Sequence, residues 1–514
     1  MPERSAASRL IANSRWNVAS FGVALVTNFL TIPLAIAAIG MDQFGSAGLV
    51  LGVLAPLALI GTVIGQVLVR DLAREQAVAD VSLSRRIVWS AVSWCSAGAL
   101  GVGLLAAACG PWVMNNLSRG QGSGRSWAVP IAAGFAAWLL QQFCFLAQAV
   151  LAARQAYRSL AIANAAGALL ASLAVIGLSR VWGNDFGFLA GTALGFGLLL
   201  LLLTAGVATE CPALLRPSRW GRAESDPILH FVRWQGAAHF AGSVANQVDR
   251  YVLGVVAPLA VVGQYNVAMR LQEVVHMGVL KVGEVLYPHF CATSDQPGST
   301  RAHFFLRASW LVNMISAAAL APLIPLATPL ITLWVDANAA AYGGQILRTL
   351  ATAGIVGSGV NVFTFFAMAT GQTERLAYIN LFHSGLMVTL TIPLIFLIGP
   401  VAAGMAYVVG NLIRWCAANW VTQGHFDDSV SGRSLMRASA MPLVCGLVVG
   451  WCLQLAWPPQ AIDWAAMLAW YLASGLTVLG AGMALAALSG EGRGWLRDLQ
   501  RSILHRRAAD PIKA

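Results

Sequence analysis

The chain has 514 residues, of which 58% are hydrophobic and only 10% charged, where a soluble domain carries roughly 25%. That balance excludes an ordinary water-soluble fold and assigns the chain to the membrane. The net charge of +11 does not indicate nucleic acid, because the arginines are dispersed over short segments instead of gathered on one domain.

Apolar runs of about 20 residues, enough for a helix to cross the hydrocarbon core, recur about fourteen times. They lie near 16–39, 46–69, 87–109, 128–152, 160–178, 186–208, 229–257, 264–290, 306–334, 345–370, 377–398, 400–421, 438–457 and 462–488. The expected fold is therefore all-α, a polytopic membrane protein with about 14 transmembrane helices. With both termini in the cytoplasm, the inner segments hold 23 of the 32 Lys and Arg residues, and the outer loops hold only Arg119, Arg125 and Arg180. This is the asymmetry expected of cytoplasmic loops.

The first run contains Pro33, which frees a helical carbonyl and marks either a static kink or a hinge. Spans one and two offer Asn28 and Gln66 as their deep polar residues. Eight cysteines fall mostly within spans, with no CxxC or Cys/His ligand spacing, so neither a metal site nor a disulfide framework is supported. Between spans four and five, RQAYRSLAIAN (154–164) echoes GQTERLAYIN (371–380) between spans ten and eleven. FGFLAGTALGF (186–196) likewise echoes GPVAAGMAYVV (399–409), each with a Gly where helices approach closely.

Six helices separate the copies in both cases, so two parallel six-helix bundles are expected. Such repeats commonly rock about a cavity at the bilayer midplane. The domains are then 1–208 (N-terminal bundle), 209–228 (polar cytoplasmic linker), 229–421 (C-terminal bundle), 422–488 (two added helices) and 489–514 (basic cytoplasmic tail). Trp495, Leu496, Leu499, Ile503 and Leu504 share one face of that tail, as in a helix lying on the inner leaflet.

Span seven carries Asp249 and Arg250 deep in its run, and a tight turn near Gly263 is expected to fold it against span eight. Span eight, around RLQEVVHMGVLKVGEVLYP (270–288), holds four ionisable groups. At 100° per residue, Asn266, Arg270, Glu273, Lys281 and Glu284 share a face about 80° wide, while His276 points elsewhere. Each charge costs on the order of 2.5–3.5 kcal/mol at a helix centre facing lipid. The stripe is therefore either self-paired at three-residue spacing or the wall of a hydrated cavity. As a cavity wall, Arg270, Lys281, Arg250 and Asn266 suit phosphate oxygens. Asp249, Glu273 and Glu284 then balance charge or exchange a proton or Na⁺, and Asp249 lies at a depth from which it would reach Lys281 or Arg270.

Residues 29–75, the hairpin 249–290 and the element 399–411 resemble the Wzx-type polysaccharide flippases of the multidrug/oligosaccharidyl-lipid/polysaccharide exporter superfamily. The sharpest part is the D-R-x-x-L-G…G-x-Y-x-x-A pattern formed by Asp249, Arg250, Leu253, Gly254, Gly263, Tyr265 and Ala268. The resemblance implies a multi-pass protein of the bacterial inner membrane that flips an undecaprenyl-diphosphate-linked oligosaccharide to the periplasmic leaflet. It also implies ion coupling by H⁺ or Na⁺, and work beside a polysaccharide polymerase and its chain-length machinery. Two other readings stand beside it. One is an ion-coupled multidrug exporter, against which the cationic stripe and the additional pair of spans argue. The other is a membrane-embedded polymerase or ligase, which lacks a large outer loop or any P-loop, H-E-x-x-H or nucleophile-elbow motif.

Overall fold

The computed structural model describes residues 6–75, 80–118, 125–218, 240, 242–284, 286, 290–291, 298–426, 431–457, 459, 463–488 and 493–494. Nearly all of the basic tail, and the linker from residue 219 onward, lie outside them. Among the described residues the regular structure is entirely helical, so backbone groups are satisfied within each segment where no water is present. The helices are α1 (Ala6–Ile39), α2 (Met41–Leu54), α3 (Leu59–Glu75), α4 (Val81–Leu117), α5 (Ala128–Ala153), α6 (Tyr157–Trp182), α7 (Asp185–Glu210), α8 (Val248–Val256) and α9 (Leu259–Glu284). They continue as α10 (Gly298–Leu320), α11 (Leu323–Trp334), α12 (Ala337–Ser358), α13 (Asn361–Ala369), α14 (Thr373–Ile398), α15 (Ala402–Phe426), α16 (Gly432–Ala456) and α17 (Trp464–Leu488).

Ten of these segments are long and apolar enough to span a membrane, or eleven when α10 and α11, bent by 41°, count as one. A helix lies in each of the fourteen expected spans. Span seven runs partly over residues outside the description, and the helices of spans eight and twelve, α9 and α15, are too polar to be among the ten. By internal contacts the chain forms two compact units, Met1–Asn266 and Val267–Ala514, with the boundary inside α9.

Local chemistry sets the helix ends. Asp80 caps α4, accepting from the Ser82 and Leu83 amides at 2.8 and 3.2 Å, so the helix begins six residues before the apolar run does. The Ser82 hydroxyl and these two amides hold the Asp80 carboxyl below its ordinary range. The contribution of this cap is thus complete above the usual aspartate value and is lost as pH falls through the lowered one. The first sequence echo is a shared helix stop. Gln155 (φ 55°) and Gly371 (φ 74°) adopt the left-handed region, and the next amides, of Ala156 and Gln372, reach back five residues to Leu151 and Ala367 at 2.9 and 2.8 Å. The glycines of the second echo are close-approach points, as expected. A Cβ on Gly191 would lie 2.6 Å from Val175 Cα, and one on Gly404 would lie 1.9 Å from Thr349 Oγ1.

In the first unit, α2 presents glycines to the α8–α9 hairpin. A Cβ on Gly45 would fall 1.9 Å from the Leu259 carbonyl oxygen and one on Gly48 2.1 Å from the Asn266 amide nitrogen. Asp42 Oδ1 accepts from the Ala260 amide at 3.0 Å and ties down the start of α9. Gly45→Ala must push backbone against backbone, an overpacking cost of about 1–3 kcal/mol. Thermal unfolding of purified protein should show a lower midpoint for Gly45→Ala and no drop for Gly101→Ala, where a methyl meets nothing within 4 Å.

Candidate functional site

The hairpin turn lies at Ala257–Pro258, not near Gly263, which is within α9. Pro258 stops α8 and starts α9, its carbonyl accepting from the Val261 amide at 2.9 Å. This shifts the register by five residues. Asp249, eight residues before Ala257, becomes level with Tyr265, seven after Pro258. The Tyr265 hydroxyl donates to Asp249 Oδ2, and the Arg250 amide donates to Asp249 Oδ1 at 2.8 Å. Asp249 is 2% exposed and Tyr265 fully buried. Asp249 thus bonds to Tyr265 on the facing arm of the hairpin and to the Arg250 amide beside it.

The rest of the D-R-x-x-L-G…G-x-Y-x-x-A pattern has the same packing logic. Leu253 and Ala268 are fully buried, and Gly254 and Gly263 approach the carbonyl oxygens of Leu117 and Met41. Arg250 Nη1 donates to Gln247 Oε1 at 2.5 Å, and its Nε is buried without a hydrogen-bond partner, as is Asn266 Nδ2. Both side chains lie against the glycine face of α2, Asn266 at Gly48 and Arg250 at Gly52.

Farther along α9, in the second unit, Arg270 Nη1 and Glu273 Oε2 pair at 3.5 Å, with side chains 42% and 43% exposed. Lys281 is exposed, and the side chain of Glu284 lies outside the described residues. The stripe is thus brought together in part: one loose ion pair, with the lysine projecting from the same helix. Pro33 lies inside α1, which runs through it uninterrupted.

Two polar clusters escaped the sequence reading. In the first unit, Arg125, counted as an outer-loop residue, donates to the buried Asp185, which also accepts from Ser46 Oγ at 2.7 Å. Gln43 Oε1 joins them, accepting from Arg125 Nη2 at 3.2 Å and the Asp185 amide at 3.3 Å. Arg125 also sits over the Trp127 ring at 4.7 Å. In the second unit, Arg414 Nη2 on α15 donates to Asn380 Oδ1 on α14 at 2.8 Å. The one signal available was the presence of polar residues in spans eleven and twelve, without any indication of which faces meet. A cavity of about 170 Å³ in the first unit, lined by Val50, Leu54, Val102, Leu105, Met114 and Ile131 among others, has no group suited to an anion.

The fold is that of polytopic transporters, and the chain is a multi-pass membrane protein. A model of a polysaccharide biosynthesis protein family matches residues 128–337. Among solved structures, the chain is similar to the lipid II flippase MurJ in an inward closed conformation, with 12% identity, a TM-score of 0.72 and coverage of 95% of this chain and 99% of that one. It is also similar to an inward-facing multidrug resistance MATE family transporter of the MOP superfamily, with 13% identity, a TM-score of 0.63 and coverage of 78% and 94%. The Vibrio cholerae MATE transporter VcmN follows at 14% identity and a TM-score of 0.58, covering 82% and 98%. No curated protein sequence matches the chain significantly. Family match and fold agree with the resemblance to Wzx-type flippases carried by residues 29–75, 249–290 and 399–411.

The Asp249–Tyr265 bond is testable as a unit. Tyr265→Phe and Asp249→Asn should each destabilise the protein by about 1–3 kcal/mol, the cost of a buried polar group left unpaired. The double variant should cost less than the sum of the two, as read from thermal unfolding of all four forms.

Proposed function

We propose that this protein flips a polyprenyl-diphosphate-linked oligosaccharide, carried on undecaprenol, from the cytoplasmic to the periplasmic leaflet of a bacterial inner membrane. It does so by alternating access, for assembly of a surface polysaccharide. The observation that carries the reading is the stripe on α9. In a chain this apolar, Arg270 and Glu273 stay about two-fifths exposed and Lys281 exposed, although charges at such depth are tolerated only where they face water, protein or ligand. The polysaccharide family match, which spans this helix, supports a glycan-linked cargo, and the likeness to a flippase fold over 95% of the chain supports translocation over synthesis.

In this proposal Arg270 and Lys281 engage the diphosphate, Arg250 and Asn266 extend the polar surface, and Glu273 and Glu284 balance charge or exchange H⁺ or Na⁺. Asp249 keeps the hairpin closed. The termini are cytoplasmic, and the product passes to a polymerase with its chain-length machinery. Multidrug export is the second reading, favoured by the MATE-type folds; it calls for an apolar, aromatic cavity more than for a cationic one.

Labelling of the lipid-linked oligosaccharide in spheroplasts with a non-permeant carbohydrate reagent tests the proposal. Deletion of the gene should leave the lipid synthesised but shielded on the cytoplasmic face, and unchanged labelling would turn attention to drug efflux. Arg270→Gln and Lys281→Gln should each lower externally labelled lipid severalfold, with protein abundance in the membrane unchanged. A hinge at Pro33 predicts slower labelling in Pro33→Ala at equal abundance; normal labelling there makes the proline a static feature of α1.

A further inference from the structure

α12 is turned inside out for a helix in lipid. Between residues 341 and 356 the positions it leaves exposed or half-exposed are Ala341, Tyr342, Gln345, Arg348, Thr349 and Thr352, and every other residue there is a buried Gly, Ala, Val, Leu or Ile. The five polar side chains fall within an arc of about 120°. A surface against acyl chains reads the other way, as on α17, which exposes Leu468, Leu472 and Leu476. The exposed arc of α12 therefore faces water.

Arg348 is the charge on that arc. It lies five residues, about 8 Å, from the middle of the span 337–369, within which α12 and α13 run on together. Its Nε donates to the Ile324 carbonyl at 3.2 Å and its Nη2 to Thr328 Oγ1 at 3.5 Å. Both acceptors are on α11, and both are neutral. No Asp or Glu occurs in α10, α11, α12 or α13, or in α15, which packs against α12. Asp336, just before α12, is engaged in capping it, with Oδ1 on the Ala339 amide at 2.6 Å. One edge of the guanidinium is thus fixed by α11, while Nη1 makes no hydrogen bond among the described residues. The open edge, between Nη1 and Nη2, is the geometry that takes two oxygens of a phosphate.

A contact with α9 gives the depth of this group. A Cβ on Gly354 would lie 3.0 Å from Gln272 Nε2, and spans eight and ten run in the same direction. At ~1.5 Å per residue from that contact, Arg348 lies ~9 Å toward the start of its helix, Arg270 ~3 Å the same way and Lys281 ~14 Å the opposite way.

We infer that Arg348 is an oxyanion contact for phosphate-type oxygens on the wall of the second unit, the last of three cations met in the order Lys281, Arg270, Arg348. The levels of Lys281 and Arg348 differ by ~23 Å, more than a diphosphate spans, so the two serve different stages of transit. That the phosphate is the cargo's, and that Arg348 holds it near the periplasmic side, rests on the flippase proposal; the anion chemistry does not.

The test uses full-length protein in phosphatidylcholine nanodiscs, titrated with geranyl-diphospho-N-acetylglucosamine. Arg348→Gln should weaken binding about tenfold or more, the loss expected of a charge-assisted contact. Arg348→Lys should recover only part of it, because an ammonium does not bond α11 and present a planar fork together. Gln345→Cys leaves the arginine in place and keeps the test open if Arg348→Gln fails to fold. Sulfonatoethyl methanethiosulfonate, an anion confined to water, should modify the introduced thiol, as read by mass spectrometry, and the probe should protect it. Leu476→Cys on α17 should stay unmodified.

Wild-type affinity in Arg348→Gln, a Gln345→Cys protein that the reagent leaves untouched, or labelling there that saturating probe does not slow overturns the site. A parallel titration in phosphatidylglycerol nanodiscs separates the sources of phosphate. Arg348-dependent binding should persist there; its disappearance would assign the site to bilayer headgroups and overturn the link to cargo. If gene deletion leaves spheroplast labelling unchanged while Arg348-dependent binding holds, only the transport proposal falls. Loss of that dependence with labelling as proposed removes only this site.

Discussion

Within hydrocarbon, a polar group without a partner is expensive, while apolar side chains gain little by leaving lipid for protein. Stability must then come from close backbone packing and from polar groups that satisfy one another. The first unit follows that rule closely. Where α2 gives way to the turn at Ala55–Ala58 and then to α3, the Gly61 amide is taken up by Gln142 Oε1 at 2.9 Å, and Gln142 is fully buried. Glycines at 45 and 48 bring α2 against the hairpin backbone, so the hairpin is held by geometry that tolerates no added methyl. The charge of Asp185 is compensated by Arg125 and Ser46, a set assembled from three separate segments.

Helix content and span positions were legible because hydrophobic runs of spanning length have few other solutions. The helix-stop echo was legible too, since Gln155 and Gly371 do the same local job. The hairpin register was not: the expectation placed the turn near Gly263, because a glycine in a polar pause reads like a turn, whereas Pro258 carries it. Gly263 serves close packing against Met41 instead. A five-residue shift of this kind changes cross-hairpin partners, and it is what sets Asp249 level with Tyr265. Arg125 does lie in the segment joining α4 and α5, but topology rules count a charge by the side on which its loop emerges and carry no information on whether a buried carboxylate lies beside it. Asn380 and Arg414 come from consecutive helices, α14 and α15, yet nothing local to either reports the bond between them.

In the motif that most sharply carries the family resemblance, four residues have packing or hydrogen-bond partners that tie the hairpin together. Asp249, Gly254, Gly263 and Tyr265 hold a hairpin together, and a pattern of this sort marks a fold more securely than it marks a cargo. Under the flippase proposal, the residues that would meet the cargo headgroup lie mostly in the less patterned stretch beyond it, farther along the same helix. One edge of that stretch carries Arg270, Glu273 and Lys281.

The polar clusters also differ in how completely they satisfy themselves. Asp185 Oδ2 accepts from both Arg125 and Ser46, and removing the arginine would leave a buried charge to bear its own desolvation cost. Among the described residues Arg348, by contrast, has only the neutral acceptors of α11. A transporter gains from that inequality. A ligand shifts a conformational equilibrium only by the difference in its interactions with the two states, so a site already saturated by its own protein would offer a passing anion nothing to improve.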